Sequence, residues 1–403
     1  MDNIVSTQYW KQLDDGRIEC TVCPRRCKLH DGQFGLCSVR GAANGQIYLM
    51  SYGDASGFCI DPIEKKPLNH FLPGTPILSF GQVGCNLTCR FCQNYTISKT
   101  KSSALQADME SLQKGRHTVH TQNGREFVHL EQGDMTSKSS QNWDISKSRQ
   151  FDTLMAKASP ERIAERALEA GCRSVAFTYN DPVIFLEYAV DTAKACHDLG
   201  LKTVAVTAGY IGGDARREFF SHMDAANVDL KCFTEDFYQK LCTARLSDVL
   251  ETLVYLKHET DVWFELTTLL IPGQNDSDEE LDAMTKWVVA ELGPDVPMHF
   301  TAFHPDWKMR DIARTPHATL TKARAIALKN GVQYAYVGNV HDLAQESTYC
   351  HACGETLIGR DWYELSTWNV TDTGDCRACG TTLAGVFDGP PGTWGAKRLP
   401  LSL

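Results

Sequence analysis

The chain has 403 residues, a formal net charge of −10 at neutral pH, and 42% hydrophobic against 22% charged residues. That composition excludes a disordered, collagen-like or coiled-coil chain, and the length leaves ample core for one large domain or two to three smaller ones. The acidic balance argues against broad nucleic-acid binding, and no stretch approaches the ~18 apolar residues that span a bilayer.

Sixteen cysteines are the unusual feature. Met1 to Trp10 lacks the basic and apolar run of a secretory signal, so a cytoplasmic location is expected, where disulfides are disfavoured and clustered thiols usually bind metal. The first cluster reads Cys20-Thr-Val-Cys23-Pro-Arg-Arg-Cys27, with Cys37 following Gly35-Leu36. Interrupted by Pro and Gly, it has little core of its own and reads as a metal-organised knot. Zinc or an auxiliary iron–sulfur cluster fits it, and a knot without metal is the third reading.

The apolar run Ile77-Leu78-Ser79-Phe80 is a candidate strand, and Gly84-Cys85-Asn86-Leu87-Thr88-Cys89-Arg90-Phe91-Cys92-Gln93-Asn94 follows it. This second cluster has three cysteines. Three thiolates on a tight loop can hold three irons of a four-iron cluster and leave the fourth iron open to an external ligand. The plainer alternative is a three-cysteine zinc site. It would want a fourth ligand or a catalytic water, and no His lies in the loop.

Directly afterwards, Gln93-Asn94-Tyr95-Thr96-Ile97-Ser98-Lys99 recurs as Gln141-Asn142-Trp143-Asp144-Ile145-Ser146-Lys147. Ser140 precedes the second copy where Cys92 precedes the first, so the copy does not repeat a metal site. Lys99 to Ser140 is rich in Ser, Gln, Lys and Thr with little apolar periodicity. It reads as a flexible loop, either a linker or a gating lid. His117 and His120 within it are spaced as possible metal ligands.

Strand candidates then alternate with helices: Arg173–Tyr179, Leu201–Thr207, Asn227–Lys231, Val262–Ile271, Met298–His304 and Val332–Val337. Ser159-Pro160-Glu161 opens one helix with a cap and a first-turn proline, and Ser277-Asp-Glu-Glu280 opens another with a capping box. With Ile77–Phe80 this makes about seven parallel strands, a full or partial barrel whose chemistry gathers at the strands' C-terminal ends. Those ends carry Tyr179-Asn180-Asp181-Pro182, Thr207-Ala208-Gly209-Tyr210, Asp229-Leu230-Lys231, Leu270 to Gly273, Phe303-His304-Pro305 and Val337-Gly338-Asn339.

The third cluster pairs Cys350-His-Ala-Cys353-Gly with Cys376-Arg-Ala-Cys379-Gly. Two such knuckles complete a closed tetrahedral site, for which structural zinc is the reading over iron or a redox dithiol, with no coordination position left for catalysis. The remaining Cys59, Cys172, Cys196, Cys232 and Cys242 lie singly in apolar or helical contexts and read as buried inert thiols.

The Cys85-x3-Cys89-x2-Cys92 loop, with Phe91 before the last cysteine, resembles the signature of radical S-adenosylmethionine (SAM) enzymes. More narrowly, Asp61-Pro-Ile-Glu-Lys-Lys-Pro-Leu-Asn-His-Phe-Leu-Pro-Gly74, the Gly84–Asn94 loop, the Cys-Pro-Arg-Arg-Cys start and the terminal ribbon look like the AmmeMemoRadiSam system radical SAM enzyme. That group is similar to pyruvate formate-lyase activating enzyme. The resemblance implies a partial (β/α) TIM-like barrel of the radical SAM type over residues 61–345, with an insertion at about 95–142. A cysteine-rich N-terminal module, 1–60, and a zinc-ribbon-like C-terminal module, 346–403, would flank it.

It also implies a [4Fe-4S] cluster on Cys85, Cys89 and Cys92 whose open iron takes the amino and carboxylate groups of SAM. Reductive cleavage would yield a 5′-deoxyadenosyl radical that abstracts hydrogen from an unidentified substrate. Phe91, Asn180, Asp181, Thr207, Gly209, Asp229 and Lys231 then stand at cofactor-binding positions. Asp181 occupies a place where Glu is more usual, and Lys231 is placed to neutralise the SAM carboxylate. A reductant such as flavodoxin or ferredoxin would be needed, and AMMECR-type and Memo-type proteins are implied as functional partners. An activase that installs a glycyl radical on a partner enzyme is the alternative within this chemistry. A zinc-organised scaffold or binding protein without SAM chemistry is the alternative from another class.

Overall fold

The computed structural model describes residues 4–115, 117–122, 124–130 and 155–402. Seven parallel strands run side by side in chain order: β1 Pro76–Gly81, β2 Ser174–Phe177, β3 Lys202–Thr207, β4 Ala225–Asp229, β5 Trp263–Leu270, β6 Met298–Ala302 and β7 Ala335–Gly338. All seven sequence candidates form. Most are shorter than expected at one end or both, because their last polar residues leave the ladder to form the loops of the site. Between them lie α1 Pro160–Glu169, α2 Leu186–Asp198, α3 Gly213–Phe220, α4 Leu246–Glu259, α5 Asp278–Trp287 and α6 His317–Lys329. The sheet is an open path with β7 at one edge, so the barrel is partial, as expected.

Both predicted helix starts are present. Ser159 Oγ accepts the Arg162 amide at 3.1 Å, and Ser277 Oγ accepts the Glu280 amide at 3.2 Å. Only half of the second capping box closes, since Glu280 Oε1 instead accepts the Phe233 amide at 2.7 Å, tying α5 to the loop after β4. No helix among the described residues is long and apolar enough to cross a membrane.

The Asp61–Gly74 segment plugs the barrel at the N-terminal ends of the strands. Ile63, Leu68, Phe71 and Leu72 pack with Ile77, Ala176, Val204 and Ala225. Glu265, fully buried on β5, accepts the amides of Asn69 and His70 at 3.0 and 2.7 Å. The C-terminal three-stranded sheet (Thr348–Tyr349, Thr356–Asp361, Glu364–Trp368) closes over this plug. The buried guanidinium of Arg360 donates to Asn69 O at 2.7 Å, and His70 Nδ1 donates to Ala384 O at 2.6 Å.

Two expectations are corrected here. The barrel sheet does not begin at residue 61: strand Asp54–Pro62 runs antiparallel to β1 and also pairs with Leu399–Pro400. Nor is the insertion structureless. Helix Ser103–Gln113 buries Leu105, Met109 and Leu112, an i, i+4, i+7 stripe too sparse to stand out in a polar stretch. Hairpin His117–Gln122/Arg125–Leu130 adds to the N-terminal sheet by pairing with Ile4–Ser6. On a strand, residues three apart face opposite sides, so His117 and His120 are not one ligand pair. The second copy, 141–147, lies outside the described residues.

Candidate active site at the barrel mouth

β1 leads through Gln82 and Val83 into the three-cysteine loop, which therefore lies at the C-terminal ends of the strands. A loop has no ladder to satisfy its backbone, so partners must come from elsewhere. The amides of Thr88 and Arg90 donate to the carbonyls of Cys242 and Leu241 at 3.0 and 2.9 Å. Those carbonyls end the π-helical turn Tyr238–Cys242, where intrahelical partners run out. Lys99 Nζ donates to Leu87 O at 2.7 Å, and the Lys308 amide donates to Arg90 O at 3.0 Å. Tyr95 stacks on Trp307 with ring centroids 4.7 Å apart, fastening the loop to the segment after β6.

The three thiols differ. Burial pushes Cys85 up to about 12 and also raises Cys92, whose Sγ lies 3.1 Å from Ser98 Oγ. Cys89 is lowered to about 6: a hydrogen bond from the Cys242 thiol comes first, burial opposes it, and the charges of Lys231 and Lys99 add to it. Cys89 is the thiolate of this pair and Cys242 its neutral donor, held protonated mainly by burial. Cys242 was expected to be an isolated inert thiol; it touches the site instead. No spacing in the sequence signals this, because the contact arises from the π-helical turn.

The strand-end residues converge on the same mouth. Asp181 Oδ1 accepts Thr207 Oγ1 at 2.8 Å and the Val183 amide at 3.3 Å, while Oδ2 is buried with no hydrogen-bond partner. Burial raises the Asp181 carboxyl to about 6, with Thr207, the Val183 amide, Asn86 and Lys231 pulling less strongly the other way. Asn180 is committed to the loop: its Nδ2 donates to Gly84 O at 2.8 Å and its Oδ1 accepts the Gln82 amide at 3.2 Å. Gly209 has φ +66°, and a Cβ there would press on Val228, so the turn after β3 suits only glycine. Lys231 Nζ pairs with Asp229 Oδ2 at 2.7 Å and sits 6.0 Å from the centre of the Phe91 ring. Burial works against its charge, but Asp229 and Cys89 hold it well above the ordinary lysine range.

The two four-cysteine groups lie at opposite ends of the barrel. Cys350, Cys353, Cys376 and Cys379 bring their sulfurs within 4.8 Å of one another, in a group placed to hold a metal ion; Cys350–Cys379 and Cys353–Cys376 are 3.7 and 3.8 Å apart. Cys20, Cys23, Cys27 and Cys37 instead line a cavity that Asn86 and Ile184 help to close. They adjoin the mouth: Gly84 packs against the Cys37 carbonyl so closely that a Cβ would overlap it, and Arg25 Nε donates to Asn86 O at 3.1 Å.

The fold is thus a parallel partial barrel with a three-cysteine loop at its mouth. The model of the Radical SAM superfamily matches residues 80–284, just over half of the chain. An uncharacterised protein of Methanocaldococcus jannaschii is 34% identical over 376 residues, 93% of this chain and 97% of that protein. The chain belongs to the Radical SAM superfamily. Membership implies a [4Fe-4S] cluster and the use of SAM in radical chemistry. Among solved structures the chain is similar to a domain of pyruvate-formate lyase-activating enzyme from Bacteroides vulgatus, at 17% identity and TM-score 0.37 over 41% of this chain and 99% of that one. It is also similar to a radical SAM methyltransferase from Sphaerobacter thermophilus, at 14% identity and TM-score 0.42 over 84% of this chain and 77% of that one.

Proposed function

We propose that the protein is a radical SAM enzyme of the AmmeMemoRadiSam system, abstracting hydrogen from an unidentified substrate, with Cys85, Cys89 and Cys92 as the cluster ligands. When bound there, the [4Fe-4S] cluster supplies reductive cleavage of SAM. The observation that carries the reading is the buried, unpartnered Oδ2 of Asp181 beside this loop. A buried acceptor left unpaired costs about 1–3 kcal/mol, and an incoming ammonium donor such as the methionyl amino group of SAM would offset that. A zinc-organised scaffold has no use for such a group.

Thr207 holds Asp181 in place, Asn180 positions the loop, and Lys231 offers its charge to the SAM carboxylate while Asp229 orients it. At the barrel floor we assign zinc to the C-terminal thiols. Four sulfurs at the Zn–S distance of about 2.3 Å are about 3.8 Å apart in a tetrahedron, which suits the observed 3.7 and 3.8 Å. The sixteen free thiols fit a reducing, cytoplasmic setting. A flavodoxin or ferredoxin would supply electrons, and the family likeness of the Asp61–Gly74 segment extends the proposal to AMMECR-type and Memo-type partners.

Anaerobic purification followed by metal analysis and incubation with SAM and dithionite tests this. Wild-type protein is expected to form 5′-deoxyadenosine, and Cys85→Ala/Cys89→Ala/Cys92→Ala to form none and to lose about four irons. Wild-type protein that carries zinc at the central loop and never cleaves SAM overturns the proposal.

A further inference from the structure

We infer that the cavity between the plug, β6, β7 and the C-terminal ribbon binds the substrate, and that this substrate is a free α-amino acid, its ammonium on Glu64 and its carboxylate on Arg360. The cavity measures about 100 Å³. That is room for about three waters or for one such head group. Two side chains of opposite charge line it and are left incomplete: Glu64 Oε2 and Arg360 Nε are both buried with no hydrogen-bond partner. Their other polar atoms go to neutral groups. Glu64 Oε1 accepts the Gly74 amide at 2.7 Å, while Arg360 Nη1 and Nη2 donate to Thr348 Oγ1 and Asn69 O, both at 2.7 Å.

A buried charge without a counter-charge in contact, and a buried polar atom without a partner, each destabilise the fold. Burial raises the Glu64 carboxyl to about 7, and the charge of Arg360 opposes the rise without a direct bond between them. Water fills such a space but brings no charge to either side chain. A head group with one ammonium and one carboxylate gives Glu64 a donor and Arg360 an acceptor at once. A peptide does not, because its two charged ends lie on different residues.

The cavity lies inside the barrel. His299 and Thr301 both line it, two residues apart on β6 and therefore on one face. His299 Nε2 bonds Glu265 Oε2 at 2.6 Å, and Glu265 holds the backbone of the plug, so that face is the interior one. Gly338 and Asn339 carry the lining on to the C-terminal end of β7. An amino acid bound here stands on the plug below β6 and β7, with its side chain toward the mouth, and Asp181, Thr207 and Lys231 lie across the barrel on the side of β2 to β4. Trp362 lines the cavity and is 41% exposed, which leaves a way in from solvent. The ribbon then has a second task, since it delivers Arg360.

Only hydrogen abstraction from the amino acid rests on the proposed function; its binding does not. Equilibrium dialysis of the full-length protein against radiolabelled glycine tests the binding. Wild type and the Cys85→Ala/Cys89→Ala/Cys92→Ala variant should bind glycine alike, which separates this cavity from the SAM position at the loop. Glu64→Gln, which loses one charged hydrogen bond, should bind glycine roughly 10- to 150-fold more weakly. Thr301→Leu fills the cavity and leaves both charges in place. It should lose binding as well, and it carries the test should Glu64→Gln not fold. Wild-type protein that binds no glycine holds ordered water only and overturns the site, as does unchanged affinity in both variants. The reaction is read with reconstituted wild type, SAM, dithionite and a mixture of amino acids deuterated at carbon. The 5′-deoxyadenosyl radical takes one hydrogen atom from a substrate carbon and leaves the unpaired electron there, so 5′-deoxyadenosine carrying deuterium is expected. Formation of 5′-deoxyadenosine without deuterium overturns the substrate class and leaves the proposed function standing. No 5′-deoxyadenosine at all sinks that function and the substrate role with it, while glycine binding still decides the site.

Discussion

The two four-cysteine modules begin from different spacings, two Cys-x-x-Cys knuckles at the floor and one Cys-x-x-Cys with two further cysteines at the mouth, and end as different objects. At the floor, one knuckle joins the first two strands of the antiparallel sheet and the other follows its last strand, their sulfurs lie 3.7 and 3.8 Å apart across the two knuckles, and Tyr334, Tyr336, Leu357, Ile358 and Val370 pack around them. At the mouth, three cysteines lie on or between short strands while Cys37 comes from a separate turn, and Val183 and Ile184 from the barrel complete the wall. Both sites draw on the barrel, Tyr336 of β7 and Tyr334 just before it for the first and Val183 and Ile184 for the second, but among the described residues only the first gathers its sulfurs within 4.8 Å of one another.

Removing metal from the floor should give the largest effect. Structural zinc is worth about 10–16 kcal/mol in small zinc-finger peptides, so Cys350→Ala/Cys376→Ala should unfold the ribbon and uncover the plug that Arg360 caps. Rapid proteolysis after residue 347 with iron content unchanged is the expected result. Unchanged resistance to protease would show that packing alone holds the ribbon.

At the mouth the corresponding weak point is the buried pair Arg40–Glu187, with side chains 3% and 1% exposed. Glu187→Gln leaves a buried guanidinium without its counter-charge, and about 3–5 kcal/mol of stability should go. Glu187 is held below the usual carboxylate range because the Arg40 charge and hydrogen bonds outweigh burial. A depressed carboxyl contributes stability that is present above its unfolded value of 4.5 and lost as pH falls through the lower folded one. Urea midpoints should therefore fall on acidification in wild type and much less in the variant. Equal acid sensitivity would remove the pair from this role.

The contrast also separates what the sequence makes legible. Seven strands, two caps, three cysteine clusters and the mouth-facing polar residues all follow from local period and spacing, because each is set within a few neighbouring residues. Three features do not. The Cys242 contact needs a π-helical turn to deliver it, the commitment of Asn180 to the loop needs β1 and β2 to be adjacent, and the insertion's helix rests on only three apolar positions.

Asp181 tests the mouth at a smaller scale. Its carboxyl is raised to about 6, chiefly by burial, so its contribution to stability is present below the unfolded value of 3.8 and lost as pH rises through about 6. SAM binding should run the opposite way, strengthening as pH rises through about 6, because only the carboxylate accepts fully from an ammonium. Asp181→Asn should flatten that profile. A charged hydrogen bond is worth about 1.5–3 kcal/mol, so SAM should bind roughly 10- to 150-fold more weakly at neutral pH. Equilibrium dialysis across pH 5–8 measures both, and a variant that keeps the wild-type profile would remove Asp181 from SAM recognition.

The smallest effect is expected at Cys242. Its thiol donates to Cys89, so Cys242→Ala should leave the iron content intact. A reduced cluster carries one more negative charge than an oxidised one, and a donor aimed at a ligand sulfur stabilises it more. Loss of a bond worth about 0.5–1.5 kcal/mol should lower the potential of the central cluster by roughly 20–65 mV, and EPR-monitored titration resolves such a shift. An unchanged potential would remove Cys242 from the electrostatics of the loop at Cys89.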